Sequence, residues 1–226
     1  CARKMKTTLS PMFAALALAL TATLPAQAQS AGDAKAGAGK VAMCIGCHGI
    51  VGYQATFPEV YKVPKISGQN AKYLEAALEA YRKGDRKHPS MRGIAGSLTD
   101  QDIADVAAYY AHSGVPEGGA AELPAPADPG AQVAALLQKG ACVSCHGDNF
   151  SKPIDPSYPK LAGQHADYLY AALKAYRNDE HKLWGRGNPV MAGMAKQFSE
   201  PELKVIAKYI ASLPGEIKTV PQSKFR

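Results

Sequence analysis

The chain has 226 residues, 46% of them hydrophobic, which suits one or two globular domains. Its net charge of +7 falls to +4 once the first 28 residues, with Arg3, Lys4, Lys6 and no acids, are set aside. That mild excess is spread along the chain without a Lys/Arg run, which excludes a nucleic-acid footprint and leaves a modest preference for acidic partner surfaces.

The first element is a targeting segment. Lys4 and Lys6 flank Met5, an apolar run of 13 residues spans Met12 to Leu24, and Ala26-Gln27-Ala28 is an A-x-A cleavage signal. Spanning a bilayer takes about 20 apolar residues. The segment 1–28 therefore predicts a cleaved signal peptide, with an uncleaved membrane tether as the alternative, and residues 1–4 an upstream extension before a natural start at Met5. Membrane contact is expected only through partners or such a tether. The expected product is exported and soluble. Next comes Cys44-Ile45-Gly46-Cys47-His48. Tyr73, Leu74, Ala77, Leu78 and Tyr81 then recur at helical spacing, and Thr99 with Asp102 forms a capping-box start for a helix carrying Ile103, Val106 and Tyr110. A Pro/Gly/Ala-rich stretch, Gly114 to Gly130, reads as a linker. Asp128 and Pro129 suit the N-cap and first position of a helix running into Cys142-Val143-Ser144-Cys145-His146. Tyr168, Leu169, Ala172, Leu173 and Tyr176 repeat the earlier helical spacing, and Ser199 with Glu202 repeats the capping box ahead of Leu203, Ile206 and Ile210. No stretch alternates as a strand, so the fold class is all-α.

These elements are one unit written twice. "KISGQNAKYLEAALEAYR" (Lys65 to Arg82) matches "KLAGQHADYLYAALKAYR" (Lys160 to Arg177), and Met91 to Ala111 matches Met191 to Ala211. The offset is 98 residues at the histidines, 95 at Gly68 and Gly163, and 100 at Met91 and Met191. The expected domains are 29–114 and 131–226, joined by 115–130. Each is small enough that a large cofactor would help supply its core.

Four chemistries compete for C-x-x-C-H. A disulfide gives no reason for a histidine to follow at once, twice. A thioredoxin-like pair expects a βαβ context. Zinc needs four ligands, and the motifs lie 98 residues apart in separate domains. Covalent c-type haem uses all three residues, with two thioethers to the haem vinyls and the histidine beneath the iron. Cys44, Cys47 and His48, and Cys142, Cys145 and His146, are the expected sites for two covalent haem c groups.

The sixth iron ligand should occupy matching places in both halves. His88 aligns with Asn188, His165 with Asn70 and His112 with Ser212, while His181 falls in an unmatched loop. Met43 and Met194 align with Ala141 and Ile94. Met91 and Met191 align with each other, so these two, rather than ordinary core methionines, are the expected ligands. Thioether ligation raises the iron's potential relative to a second imidazole.

At this point the chain resembles the dihaem cytochromes c of the cytochrome c4 type, two class I cytochrome c domains in tandem. The resemblance rests on "AGDAKAGAGKVAMCIGCHG", "PKISGQ" and "PKLAGQ", the M-x-G-(I/M)-A loops and the terminal "DIADVAAYY" and "LKVIAKYI" helices. It implies that Pro64 and Pro159 offer carbonyls to the axial imidazoles, and that the haems pack near a domain interface. It also implies a periplasmic one-electron carrier, not an enzyme, taking electrons from a quinol–cytochrome c oxidoreductase and passing them to a haem–copper oxidase. The alternatives are the cytochrome subunit of a periplasmic dehydrogenase, or a haem peroxidase or sensor, against which the paired methionines argue. The loop before Met191 departs from its counterpart by five extra residues and carries Trp184, which either packs the loop or covers a haem edge. Arg82 and Arg177 are expected at haem propionates or as cations at helix C-termini. Tyr73, Tyr81, Tyr168 and Tyr176 read first as core, with propionate or interdomain hydrogen bonds as the alternative.

Overall fold

The computed structural model describes residues 31–119 and 122–221. The export segment read in residues 1–28 lies outside the described residues. Among the described residues, each half is a succession of five helices. The first has α1 (Ala34–Ala38), α2 (Ala42–His48), α3 (Ala71–Lys83), α4 (Pro89–Gly96) and α5 (Asp100–His112). The second has α6 (Gly130–Lys139), α7 (Cys142–His146), α8 (Ala166–Arg177), α9 (Pro189–Ala195) and α10 (Glu200–Ser212). The all-α class holds, with one small addition: Gln54–Ala55 (β1) pairs antiparallel with Tyr61–Lys62 (β2). Two residues per strand are too few to show alternation.

Local chemistry sets the helix ends. Thr99 and Asp102 bond reciprocally at the start of α5, as Ser199 and Glu202 do at α10, so both predicted capping boxes form. The entry to α6 differs from the expectation. Asp128 Oδ1 accepts from Gly130 N–H at 2.8 Å, which moves the helix start past Pro129. That helix also stops at Lys139 instead of entering the cysteine motif, because Ala141 takes a left-handed φ of 45°.

The repeated helix pairs build two cores. Val41, Ile45, Leu74, Val106 and Tyr110 join in the first half, and Leu136, Phe150, Leu169, Leu203, Ile206 and Ile210 in the second. The short α1 is held against α5 by close approach and by charge. A side chain at Gly37 would collide with the main-chain carbonyl of Asp105, so only glycine fits there. The buried Asp105 carboxylate accepts from Asp33 N–H at 2.8 Å, Lys40 Nζ at 2.6 Å and Gln101 Nε2 at 2.7 Å.

Those bonds, the Asp33 amide first and Lys40 second, hold the Asp105 carboxyl below its ordinary range. A lowered folded pKa contributes stability above the unfolded value near 3.9, and the contribution disappears as pH falls through the folded value. Asp105→Ala is therefore expected to lose about 2–3 kcal/mol at neutral pH. Its acid sensitivity below about pH 4 should also be shallower than that of the parent chain. Urea unfolding at pH 7 and near pH 3 checks both; equal losses at the two values would refute the assignment.

The halves meet across a pseudo-twofold arrangement. Lys87 N–H donates to Gly185 O at 2.9 Å and Gly187 N–H to Asp85 O at 2.6 Å, so the chain on either side of Arg86 and Arg186 pairs antiparallel. Lys218 exchanges main-chain bonds with Ser67, which lays the segment after α10 along the first half. Lys62 with Asp167 and Lys174 with Glu59 add ion pairs across the same boundary.

Candidate functional site

Cys44, Cys47 and His48 stand on α2, and Met91 on α4. Both elements border one cavity of ≈ 680 Å³, which Pro64 also lines. Interiors close-packed like organic crystals hold few voids larger than a water molecule. A space of this size in a domain of under a hundred residues is a ligand site. The second half contributes to it as well, through Pro159, Lys160, Leu161, Gln164 and Tyr168.

His48 Nδ1 lies 2.8 Å from the Pro64 carbonyl. A carbonyl only accepts, so Nδ1 carries the proton and the Nε2 lone pair is free for a metal. Burial pushes the His48 pKa down, which keeps the ring neutral near pH 7. His146 is also buried with its pKa pushed down, and its Nδ1 faces the Pro159 carbonyl at a longer 3.4 Å. Burial raises the Cys44 and Cys142 thiols, so neither is poised as a free nucleophile. No disulfide joins the described cysteines, and no cluster of three His, Cys, Asp or Glu suited to a metal occurs among the described residues.

The two paired methionines sit in like surroundings. His88 and Asn188 cap α4 and α9, accepting from Met91 N–H at 3.4 Å and Met191 N–H at 3.0 Å, with Pro89 and Pro189 opening each helix. Of the unpaired methionines, Met194 sulfur accepts from Gln197 Nε2 at 3.7 Å, and Met43 borders the same cavity as Met91 but is 53% exposed. His112 Nδ1 donates to Ala108 O at 2.8 Å, and His181 stacks on Trp184 at 4.3 Å between centroids. Trp184 thus packs its own loop, with Lys174 Nζ 5.7 Å from the ring.

Arg82 and Arg177 both lie in the last turn of their helices, α3 and α8, as the reading of helix-end cations expects. They reach across to the first turn of the terminal helix of their own half, Arg82 to Asp100 at 2.6 Å and Arg177 to Glu200 at 3.9 Å. The cations at the domain boundary are the buried Arg86 and the half-buried Arg186, which the sequence reading passed over. Both stand five residues before a paired methionine, Met91 or Met191, and that equal spacing was a usable signal. Arg86 donates to Tyr73 Oη at 3.1 Å and, across the boundary, to Tyr168 Oη at 2.7 Å; Arg186 donates to Tyr168 Oη at 3.2 Å. Arg86 lies over Tyr81 at 4.6 Å, and Arg186 over Tyr176 at 5.3 Å. Tyr81 and Tyr168 are buried, as the core reading expects, and Tyr73 and Tyr176 half-buried; of the four, Tyr168 takes the interdomain hydrogen bond, from Arg86. Burial raises the Tyr168 hydroxyl, but the two guanidinium groups overrule it and bring its pKa below the ordinary value.

A buried charge needs a counter-charge, and phenols are poor substitutes. The Arg86 Nε is buried with no hydrogen-bond partner among the described residues. The cavity wall is thus short of an anion beside an apolar space holding two thiols and a neutral imidazole. A haem with its propionates meets each of those demands.

Two tandem all-α domains with one C-x-x-C-H apiece define the class of dihaem c-type cytochromes. The cytochrome c family model matches residues 34–113 and again 128–214. Cytochrome c4 of Azotobacter vinelandii is 34% identical over 213 residues, covering 88% of this chain and 98% of its own. A thiosulfate dehydrogenase electron acceptor of Stutzerimonas stutzeri (strain A1501) is 33% identical over 202 residues, covering 84% and 90%. The crystal structure of reduced recombinant cytochrome c4 from Pseudomonas stutzeri, 31% identical, matches with a TM-score of 0.57 over 81% of this chain and 100% of its own. The chain belongs to the cytochrome c family, and its tandem halves make it a dihaem electron carrier of the cytochrome c4 type with two covalently bound haem c groups.

Proposed function

We propose that Cys44 and Cys47 attach the first haem, with His48 and Met91 as its axial ligands, and that Cys142, Cys145, His146 and Met191 do the same for the second. The observation that carries this is the convergence of Cys44, Cys47, His48, Pro64 and Met91 on one cavity. Each haem supplies an iron that cycles between Fe(III) and Fe(II). The chain's part is to hold, orient and shield it. Pro64 and Pro159 fix the imidazole tautomers by accepting from Nδ1–H. Arg86 and Arg186 supply the positive charge for propionates at the domain boundary.

In this reading the protein is a periplasmic carrier, released by cleavage after Ala28, between a quinol–cytochrome c oxidoreductase and a haem–copper oxidase. No helix among the described residues is long and apolar enough to cross a membrane. A second reading, as the cytochrome partner of a periplasmic dehydrogenase, is favoured by the relative named as a thiosulfate dehydrogenase electron acceptor.

A redox titration followed by visible absorption tests the sites. Two haems per chain are expected, both showing the weak far-red methionine-to-Fe(III) band and both at positive potential. A haem without the band would refute its ligand assignment. Rates of reduction by the quinol-oxidising complex and by a thiosulfate dehydrogenase, measured side by side, then decide between the carriers; a dehydrogenase rate far above the other would overturn the first.

A further inference from the structure

We infer that each half of the molecule tunes the iron held by the other through one buried glutamine, Gln164 acting on the first haem and Gln69 on the second. The inference rests on the proposed ligation by His48 and His146.

The peptide unit joining Pro64 to Lys65 carries two bonds at once. Its carbonyl accepts from His48 Nδ1 at 2.8 Å, and its N–H donates to Gln164 Oε1 at 3.0 Å. Gln164 belongs to the second half, and its Nε2 donates back to the Lys65 carbonyl at 2.9 Å. The mirror image is present. The Pro159–Lys160 peptide offers its carbonyl to His146 Nδ1 at 3.4 Å and its N–H to Gln69 Oε1 at 2.9 Å, and Gln69 Nε2 returns to Lys160 O at 3.0 Å. Gln69 is 4% exposed and Gln164 5%, so water does not compete for these bonds. Each Oε1 also accepts from the N–H of the next residue, Asn70 or His165, which locks the amide in orientation.

A peptide is conjugated, so an acceptor on its N–H leaves more negative charge on its oxygen. A more negative oxygen draws the Nδ1 proton of the axial histidine and makes the ring a stronger donor to iron. A stronger donor favours Fe(III) and lowers the potential. The glutamine therefore acts on the iron of the opposite half through a single peptide group, and removing its oxygen should raise that potential.

The test uses the full-length holoprotein with Gln164→Leu and Gln69→Leu made separately, each haem followed by NMR through resonances of its own pocket during reduction. With Gln164→Leu, the reduced-to-oxidised ratio of the first haem at fixed ambient potential should rise about two- to threefold, roughly 20–30 mV at ~59 mV per tenfold for one electron. The second haem should stay put, and the reduced-state His48 Nδ1–H resonance should move upfield. Gln69→Leu should move only the second haem, and by less, because the His146 bond is the longer. Gln164→Glu keeps an acceptor and adds charge, so it should move the first haem the opposite way. Leucine variants that move both haems together, or neither, overturn the inference, because a loosened interface has no reason to choose the far haem. A ring-current-shifted His48 Nδ1–H in the unaltered protein marks it as a ligand. Its absence would overturn the ligation and the inference together, whereas its presence with unmoved potentials overturns the inference alone.

Discussion

Met91→His is expected to lower the potential of the first haem by on the order of 0.1–0.3 V, within the ~0.8 V that axial ligands span, and to leave the second haem unchanged. A thioether is soft and favours Fe(II), whereas an imidazole donates more strongly and favours Fe(III). The far-red band should fall to half its intensity. The proposed ligand positions are built alike, with His88 capping the α4 turn at the Met91 amide and Asn188 capping α9 at Met191. Met194→Leu is the control and should move neither potential, since its sulfur already accepts from Gln197. Potentiometry with the band recorded in parallel checks both variants. An undiminished band in Met91→His would remove Met91 from the iron.

What could be read from the sequence divides by range of interaction. Capping boxes, the helical spacing of Tyr73 to Tyr81 and the C-x-x-C-H motifs are local patterns, and each determines its own few residues. The repeat extended that reach, since aligning the halves selects Met91 and Met191 from among the methionines. Contacts between the halves were not legible in this way. Gln69 with Lys160 and Gln164 with Lys65 are separated by more than ninety residues, and "PKISGQ" gives no sign that its glutamine leaves its own domain. Arg82 and Arg177 were legible in part. Both stand in the last turn of their helices, as their position suggested, but their carboxylate partners Asp100 and Glu200 lie on another helix and leave no local sign.

The contacts that were missed are also the ones that make the two halves a unit. The first cavity is bordered by residues of both halves, and the peptides whose carbonyls face His48 and His146 are gripped by the opposite domain. Two cytochrome domains strung on a linker would not need this. An arrangement in which each half completes the other's surroundings suits electron exchange within the molecule, because one interface sets the hydrogen bonds and charge beside both proposed haem sites.

Arg86→Met should expose the charge side of that interface most sharply. If Arg86 faces haem propionates, the holoprotein should lose about 3 kcal/mol, the lower end of what breaking a buried charge pair costs. If it faces only Tyr73, Tyr81 and Tyr168, it is a buried cation without a counter-ion, and a well-packed apolar side chain should leave stability equal or higher. The two outcomes differ in sign, which urea unfolding of the holoprotein resolves without reference to activity. The potential gives a second reading. Arg86 lines the first cavity, and a positive charge there disfavours Fe(III), so its removal should lower the first haem's potential. A unit charge at ~10 Å in a medium of effective dielectric ~20 is worth about 1.7 kcal/mol, enough to be measured. Arg86→Lys separates charge from geometry. It keeps the cation but cannot donate in a fork to two phenols at once, so it should hold the potential near its parent value while losing part of the stability.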